Sequence, residues 1–194
     1  YNSVARLADG GFVATRMRDQ NFRGGGGAPV GITGHLVEWH PGGQPQRLAA
    51  TEMSLPNGID VSKDERYIYV AAFGSQEIFR FDRRTTPMPK RTVSLPIRPD
   101  NVHWGPDGKL LTAGPNYVPP AVCSGAGCAT GWSVLEVDPE TLAFQRLGGA
   151  DVPATRAQRR PRHRSAGRGQ PRWRTGTRGP RRPRERARVG PRGR

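Results

Sequence analysis

Three oxygen-bearing side chains recur at one position of a repeated sequence pattern. Asn2, Asn57 and Asp100 each stand seven residues before an aspartate. Those following aspartates are Asp9, Asp64 and Asp107. Amide and carboxylate oxygens, with no cysteine or histidine among them, are the hard ligands that Ca²⁺ prefers and that Mg²⁺ or Mn²⁺ also accept. One such Asn at the start of a strand more simply caps a turn, so the prediction of a calcium site depends on the repeat.

The repeat is built from short strands that must position these side chains. Its three units begin "NSVARLADGGFVATRM", "NGIDVSKDERYIYVAAF" and "DNVHWGPDGKLLTAG", and their starts are 55 and 43 residues apart. Each unit continues into two further alternating segments. Units of about 40 to 50 residues with four strands predict the blades of a β-propeller, whereas a sandwich has no reason to repeat a turn register. We therefore predict an all-β fold, an incomplete β-propeller of about three four-stranded blades.

The first strand of each propeller blade lines the central channel. Asn2, Asn57 and Asp100 should therefore face the axis from three directions at one height. The aspartates seven residues later stand in "DG" and "DE" pairs, which predict turns away from the axis.

The basic charge is confined to the end of the chain. The 194 residues carry a formal net charge of +15, but residues 1–154 contain 15 basic and 15 acidic side chains. Residues 155–194 hold 16 arginines, no lysine and one acid, with no Leu, Ile, Phe, Tyr or Met. We predict a globular part, 1–154, and a disordered Arg/Gly/Pro-rich tail, 155–194. The tail is either an arm that binds nucleic acid non-specifically or, as the abrupt loss of lysine favours, the product of a shifted reading frame.

Several other functions are disfavoured by motifs that are missing. No run approaches the roughly 18 apolar residues of a membrane span. There is no G-x-S-x-G nucleophile elbow, and "GGGG" at 24–27 lacks the Lys-Ser/Thr of a phosphate loop and predicts a flexible loop. Cys123 and Cys128 either close a small loop disulfide or remain two free thiols.

Two segments, "LPNGIDVSKDERYIYVAAFGSQEIFRF" and "RPDNVHWGPDGKLLTAG", resemble the senescence-marker-protein/gluconolactonase group and the related paraoxonase (arylesterase) group. These groups are six-bladed propellers that hydrolyse lactones or esters at an axial calcium. The resemblance covers residues 1 to about 153. Asn57-Gly58 and Asp100-Asn101 match the motifs that open the family's blades, while Asn2-Ser3 lacks the Asp often found beside that Asn.

The resemblance also implies roles for individual residues. Asn57 and Asp100 would bind the metal, Asn2 the metal or the substrate, and Asn101 would add a ligand as in the arylesterase branch. Asp100 also matches the proposed general base of the lactonase branch. His103 shares the strand face of Asn101 and is a candidate substrate-binding residue, or else a structural histidine of the channel. The glutamate that completes the family's ligand set comes from an earlier blade and has no counterpart here.

The leading hypothesis is therefore a fragment of a calcium-dependent hydrolase of small-molecule lactones or esters. Six blades need roughly 270 residues, so three should leave sheet faces exposed. We expect the chain alone to be unstable and inactive and the complete protein to be the enzyme. The alternatives are a propeller that binds ligands or proteins without catalysis and nucleic-acid binding through the tail.

Overall fold

The computed structural model describes residues 1–19, 31–119, 122 and 130–151. Within these ranges the chain forms twelve β-strands and no helix. The strands are β1 (Val4–Arg6), β2 (Phe12–Arg16), β3 (His35–Trp39), β4 (Gln46–Arg47), β5 (Pro56–Val61), β6 (Tyr67–Ala72), β7 (Glu77–Asp82), β8 (Lys90–Ser94), β9 (Asn101–Trp104), β10 (Leu110–Pro115), β11 (Trp132–Val137) and β12 (Phe144–Ala150).

The strands form three antiparallel sheets of four, each made from consecutive strands. We call β1–β4 blade 1, β5–β8 blade 2 and β9–β12 blade 3. The first strand of each blade is an edge strand, and β5 contacts both β1 and β9. The prediction of an all-β fold with three four-stranded blades is confirmed, and the first strands of the three units lie side by side as expected.

Two apolar layers join the blades, one on each face of blade 2. Alternation along β6 divides its side chains, so that Ile68 and Val70 face blade 1 while Tyr69 and Ala71 face blade 3. The first layer packs these against Ala5, Leu7, Val13 and Leu36, and the second against Val102, Leu110, Leu135 and Val137. Blade 2 thus reads as nearly continuous apolar sequence in "YIYVAAF" because both of its faces are buried.

The three turn aspartates behave as predicted. The side chains of Asp9, Asp64 and Asp107 each accept a hydrogen bond from the backbone N–H two residues later, at 2.8, 3.3 and 3.1 Å. This closure by an Asx turn fixes the link between the first two strands of every blade. The three carboxylates thus bind the backbone of these turns, and they lie at the opposite end of the first strands from Asn57 and Asp100.

A polar cluster connects blades 1 and 2 at this turn end. The His40 ring contacts Asp9 through Nδ1 and Glu38 through Nε2, each at 2.6 Å. Arg83 of blade 2 donates from Nη2 to the same Glu38 oxygen at 2.8 Å. Hydrogen bonding to Asp9, and then to Glu38, raises the pKa of His40 above its ordinary value. Because the histidine is half exposed, solvent screens much of this attraction.

Spatial contacts between Cα atoms group the chain into two units, Tyr1–Gln158 and Arg159–Arg194. The residues described above all belong to the first part. The predicted tail, 155–194, its disorder, its reading frame, the 24–27 loop and both cysteines lie outside the described residues. No helix long and apolar enough to cross a membrane occurs in the described ranges.

Candidate active site

The start of β5 departs from a regular ladder at Asn57-Gly58. Pro56 pairs with Ala72 and Ile59 with Val70, so two residues of β5 face a single residue of β6. This is a β-bulge, not the two-residue hairpin that an Asn-Gly pair usually forms. Leu55, just before the strand, has a left-handed φ of 48°. The bulge turns the Asn57 side chain inward, where it is only 5% exposed.

Gly58 brings the backbones of blades 2 and 3 into contact. Its N–H donates to the Asp100 carbonyl at 2.7 Å. A Cβ added at Gly58 would lie 2.5 Å from both Asn101 Cα and Val102 N, closer than real Cβ contacts. Only glycine therefore permits the two inner strands to approach this far.

The structure brings together two of the predicted site residues, Asn57 and Asp100. Asn57 Nδ2 donates to Asp100 Oδ1 across the blade junction at 2.5 Å. Asp100 also donates its backbone N–H to the Ala113 carbonyl at 2.9 Å, which ties it to the second strand of blade 3. An amide and a carboxylate from adjacent blades thus meet where β5 and β9 begin.

Asn2 stands at the matching position of blade 1, but its side chain does not join this pair. Its backbone N–H donates to the Thr15 carbonyl at 3.0 Å, which parallels the bond from Asp100 to Ala113. Its amide Nδ2 lies 3.9 Å from Met17 Sδ. The link to blade 2 is made instead by the buried Thr15 hydroxyl, which donates to the Asn57 carbonyl at 2.6 Å.

Asn101 and His103 share one face of β9, as predicted. Both are exposed, while Val102 between them is buried against blade 2. His103 Nδ1 lies 3.7 Å from Asp60 Oδ2, with side chains 67% and 26% exposed. Asp60 follows Asn57 by three residues just as His103 follows Asp100. That shared offset is the signal by which sequence reasoning could have found Asp60.

The donor set suits a hard cation better than zinc or copper. Asp100 supplies a carboxylate and Asn57 an amide oxygen, with Asn101 beside them. Among the described residues, no group of three or more His, Cys, Asp or Glu side chains could hold a metal. A site here would therefore rest on one carboxylate plus amide oxygens, a combination that Ca²⁺ accepts. The Asn57 nitrogen faces Asp100, and a flip of χ2 is enough to exchange it for the amide oxygen.

Two surface clefts in the described residues lie elsewhere. One is lined by Asp64, Glu65, Arg66, Arg83 and Arg84. The other lies between blades 1 and 2 near Leu7 and Ser62. Both are at the turn end of the blades, so neither contains the Asn57–Asp100 pair.

Four-stranded antiparallel blades whose first strands adjoin one another define a β-propeller. The model of the SMP-30/gluconolactonase/LRE-like region matches residues 1–146. The chain belongs to this family, as the resemblance of its sequence predicted.

One solved structure with a TM-score above 0.5 supports the fold, and two others are similar to this chain. A luciferin-regenerating enzyme aligns with a TM-score of 0.52 and 13% identity over 78% of this chain and 46% of its own. A gluconolactonase from Xanthomonas campestris is 23% identical, with a TM-score of 0.49 over 78% and 47% of the two chains. Virginiamycin B lyase from Staphylococcus aureus is 13% identical, with a TM-score of 0.48 over 80% and 42%. This chain thus spans less than half the length of these structures. The curated proteins searched contain no match.

Proposed function

We propose that this chain is part of a metal-dependent lactone or ester hydrolase, with Asn57 and Asp100 as ligands of a calcium ion. The contact between Asn57 Nδ2 and Asp100 Oδ1 carries the proposal. It joins two hard-oxygen side chains at the openings of adjacent inner strands, in a chain of the gluconolactonase-like family. Membership of the SMP-30/gluconolactonase/LRE-like family favours a small-molecule lactone as the substrate.

Each residue near the Asn57–Asp100 pair would have a different role in the reaction. Asn57 and Asp100 would hold the cation, with Asn2 and Asn101 as further candidate ligands and His103 as a candidate contact for the substrate. When bound, a hard dication polarises the lactone carbonyl and lowers the pKa of a coordinated water. Asp100 would act as general base: as the water oxygen bonds to the carbonyl carbon, its proton passes to the carboxylate. The ring C–O bond then breaks, and the leaving oxygen takes up that proton.

The backbone around the pair favours a fixed arrangement of these groups. The Thr15 hydroxyl holds the Asn57 carbonyl, and the Gly58 N–H holds the Asp100 carbonyl. Both bonds cross between blades, so ligands from different blades keep their spacing without rearrangement. Such preorganisation lowers the reorganisation that the transition state requires.

Calcium binding and lactone hydrolysis by Asp100→Asn test the proposal directly. Asp107→Asn is the matched control, because it makes the same change at a turn aspartate seven residues away. Loss of the only carboxylate in the set should weaken calcium binding by roughly 30- to 160-fold, as expected for a charge-assisted interaction of about 2–3 kcal/mol. Calorimetric titration reads this even if the chain turns over no substrate.

Hydrolysis is then followed with and without a chelator in the complete protein, carrying each substitution in turn, because the chain alone is expected to be inactive. The expected result is chelator-sensitive activity in the wild type and in Asp107→Asn, and none in Asp100→Asn. Equal calcium affinity in Asp100→Asn and wild type would remove Asp100 as a ligand. Equal activity would remove it as the base.

A further inference from the structure

Arg98 stands two residues before Asp100, at the end of blades 2 and 3 where the Asn57–Asp100 pair lies. The backbone N–H of Arg98 donates to the Pro115 carbonyl at 2.9 Å. That of Asp100 donates to the Ala113 carbonyl, also at 2.9 Å. A proline follows Arg98 and favours an extended backbone at that residue. Residues two apart in an extended segment point to the same side, so the Arg98 side chain shares the face from which Asp100 meets blade 2.

Two aromatic rings hold the guanidinium of Arg98. Its Cζ lies 5.6 Å from the ring centroid of Phe73, just after β6 of blade 2, and 5.6 Å from that of Tyr117, shortly after β10 of blade 3. The backbone N–H of Phe73 donates to the Leu55 carbonyl at 3.0 Å. That of Tyr117 donates to the Pro96 carbonyl at 2.9 Å. A cation within about 6 Å of an aromatic ring is attracted to its face, so the guanidinium is held at the junction of blades 2 and 3, as the candidate metal ligands are.

No described residue accepts a hydrogen bond from the Arg98 side chain. Its Nη1 is buried without a hydrogen-bond partner, and no carboxylate in the described ranges forms an ion pair with it. By contrast, the partly buried Arg66, Arg80 and Arg83 each donate to a carboxylate or a main-chain carbonyl. A buried charged donor without a partner is costly. Contact with aromatic faces leaves the N–H groups at the edge of the guanidinium unoccupied, so these donors remain for a further acceptor.

We propose that Arg98 binds a carboxylate of the substrate, so that the preferred substrates are small lactones or esters with a carboxylate close to the bond that is cleaved. This inference deepens the function proposed above and rests on it. Two residues of extended chain span about 7 Å. A small ring bound at the Asn57–Asp100 pair therefore brings a substituent within reach of the long arginine side chain. A guanidinium presents parallel N–H groups that match the two oxygens of a carboxylate.

The charges around the pair favour an anionic ligand. Asp100 is the one carboxylate among the candidate metal ligands, and Asp60, further along β5, contacts His103. A bound dication and the Arg98 guanidinium together outweigh these two carboxylates, so the site would attract an anion. A neutral hydroxyl on the substrate would gain less from the same guanidinium, because hydrogen bonds between charged partners are about twice as strong as those between neutral ones.

Two γ-lactones of equal size test the proposal in the complete protein. One carries a carboxylate on the ring carbon beside the ring oxygen, and the other carries a carboxamide at the same position. The measured quantity is the ratio of their kcat/KM values, carboxylate over carboxamide. The wild type should favour the carboxylate by roughly tenfold or more. Arg98→Gln should lower the ratio by about the same factor, because a charge-assisted hydrogen bond to the substrate is lost.

Two further variants separate the shape of the guanidinium from its charge and its position. Arg98→Lys keeps a cation beside the rings but loses the planar pair of donors, so it should lower the ratio by about 2- to 10-fold. Arg84→Gln is the matched control, because Arg84 is an exposed arginine at the turn end of blade 2. It should leave the ratio unchanged. Circular dichroism checks that each variant is folded.

The ratio distinguishes contact with the substrate from a structural role. If Arg98 only joined the blades, its loss would lower both kcat/KM values alike. A constant ratio, or a wild type that treats the two lactones equally, would overturn the inference. The wild type and Arg98→Lys decide this even if Arg98→Gln does not fold. Calorimetric titration with each lactone in the presence of calcium reads the same preference as a ratio of Kd values. A preference for the carboxylate in binding without any hydrolysis would contradict the proposed hydrolase and support the Arg98 site.

Discussion

The close approach of blades 2 and 3 at Gly58 makes a quantitative prediction for Gly58→Ala. The new Cβ would meet Asn101 Cα and Val102 N at 2.5 Å, where ordinary contacts begin at 3.4 Å. Both neighbours are backbone atoms of β9, which cannot rotate away, so the strands must separate by about 1 Å. Overpacking of this kind costs about 1–3 kcal/mol. Weakening the bond from Gly58 N–H to the Asp100 carbonyl adds about 1 kcal/mol.

The sum, about 2–4 kcal/mol, should lower the Tm by about 5–15 °C for a folded region of this size. The measurement is thermal unfolding followed by circular dichroism, with both variants and the wild type at one protein concentration. Gly148→Ala is the matched control, because a Cβ at Gly148 meets nothing within 4 Å. It should change Tm by about 1 °C or less.

Equal Tm values for Gly58→Ala and Gly148→Ala would refute the close approach. The same comparison bears on the proposed site. Separation of the strands should pull Asn57 from Asp100, so Gly58→Ala should also lose the rise in Tm that calcium would give the wild type if the proposed site binds it.

Three further predictions concern the junctions between blades. The pKa of His40 is raised from 6.5 and that of Asp9 lowered from 3.8, each mainly by their mutual hydrogen bond. The stability that the contact between His40 and Asp9 adds is fully present above pH 3.8, where Asp9 is charged, and it is lost as the pH rises from 6.5 through the raised pKa of His40. The difference in Tm between wild type and His40→Gln should therefore be largest at about pH 4–6.5 and should shrink at pH 9. Trp104→Phe removes the 2.6 Å bond from Trp104 Nε1 to the Val61 carbonyl and should cost about 1–2 kcal/mol by urea unfolding, with an undiminished urea midpoint contradicting that bond. Burial raises the pKa of Tyr69 to about 12, so a Tyr69→Phe difference titration by ultraviolet absorbance should show one tyrosine that ionises near pH 12 in place of 10.

The arrangement of strands within each blade could be predicted from the sequence because it depends on residues that are close together in the chain. The seven-residue spacing to Asp9, Asp64 and Asp107 reflects one strand and one turn, and each Asx turn forms within two residues of its aspartate. Asn57 and Asp100 could be predicted to adjoin one another because they occupy equivalent ends of neighbouring inner strands.

The direction of the side chains at those ends could not be predicted. The direction of the Asn57 side chain is set by a β-bulge, whereas an Asn-Gly pair in a sequence more often indicates a hairpin. Thr15 is buried on the second strand of blade 1, and its bond to a residue 42 positions away depends on how the blades pack. Asn2 precedes β1 by two residues, where no ladder fixes the side chain, and its amide contacts Met17. The roles of Asn2, Asn57, Asp100, Asn101 and His103 toward metal or substrate stay predictions.

Several polar links between blades end on main-chain carbonyl oxygens, among them those of Asn57, Val61 and Asp100. A carbonyl oxygen is present whatever side chain the residue bears. Substitution at a receiving position such as 61 therefore changes a side chain of the apolar layer between blades 1 and 2 without removing the acceptor that Trp104 uses. The packing between two blades can thus vary in sequence while the polar link to the third blade is kept.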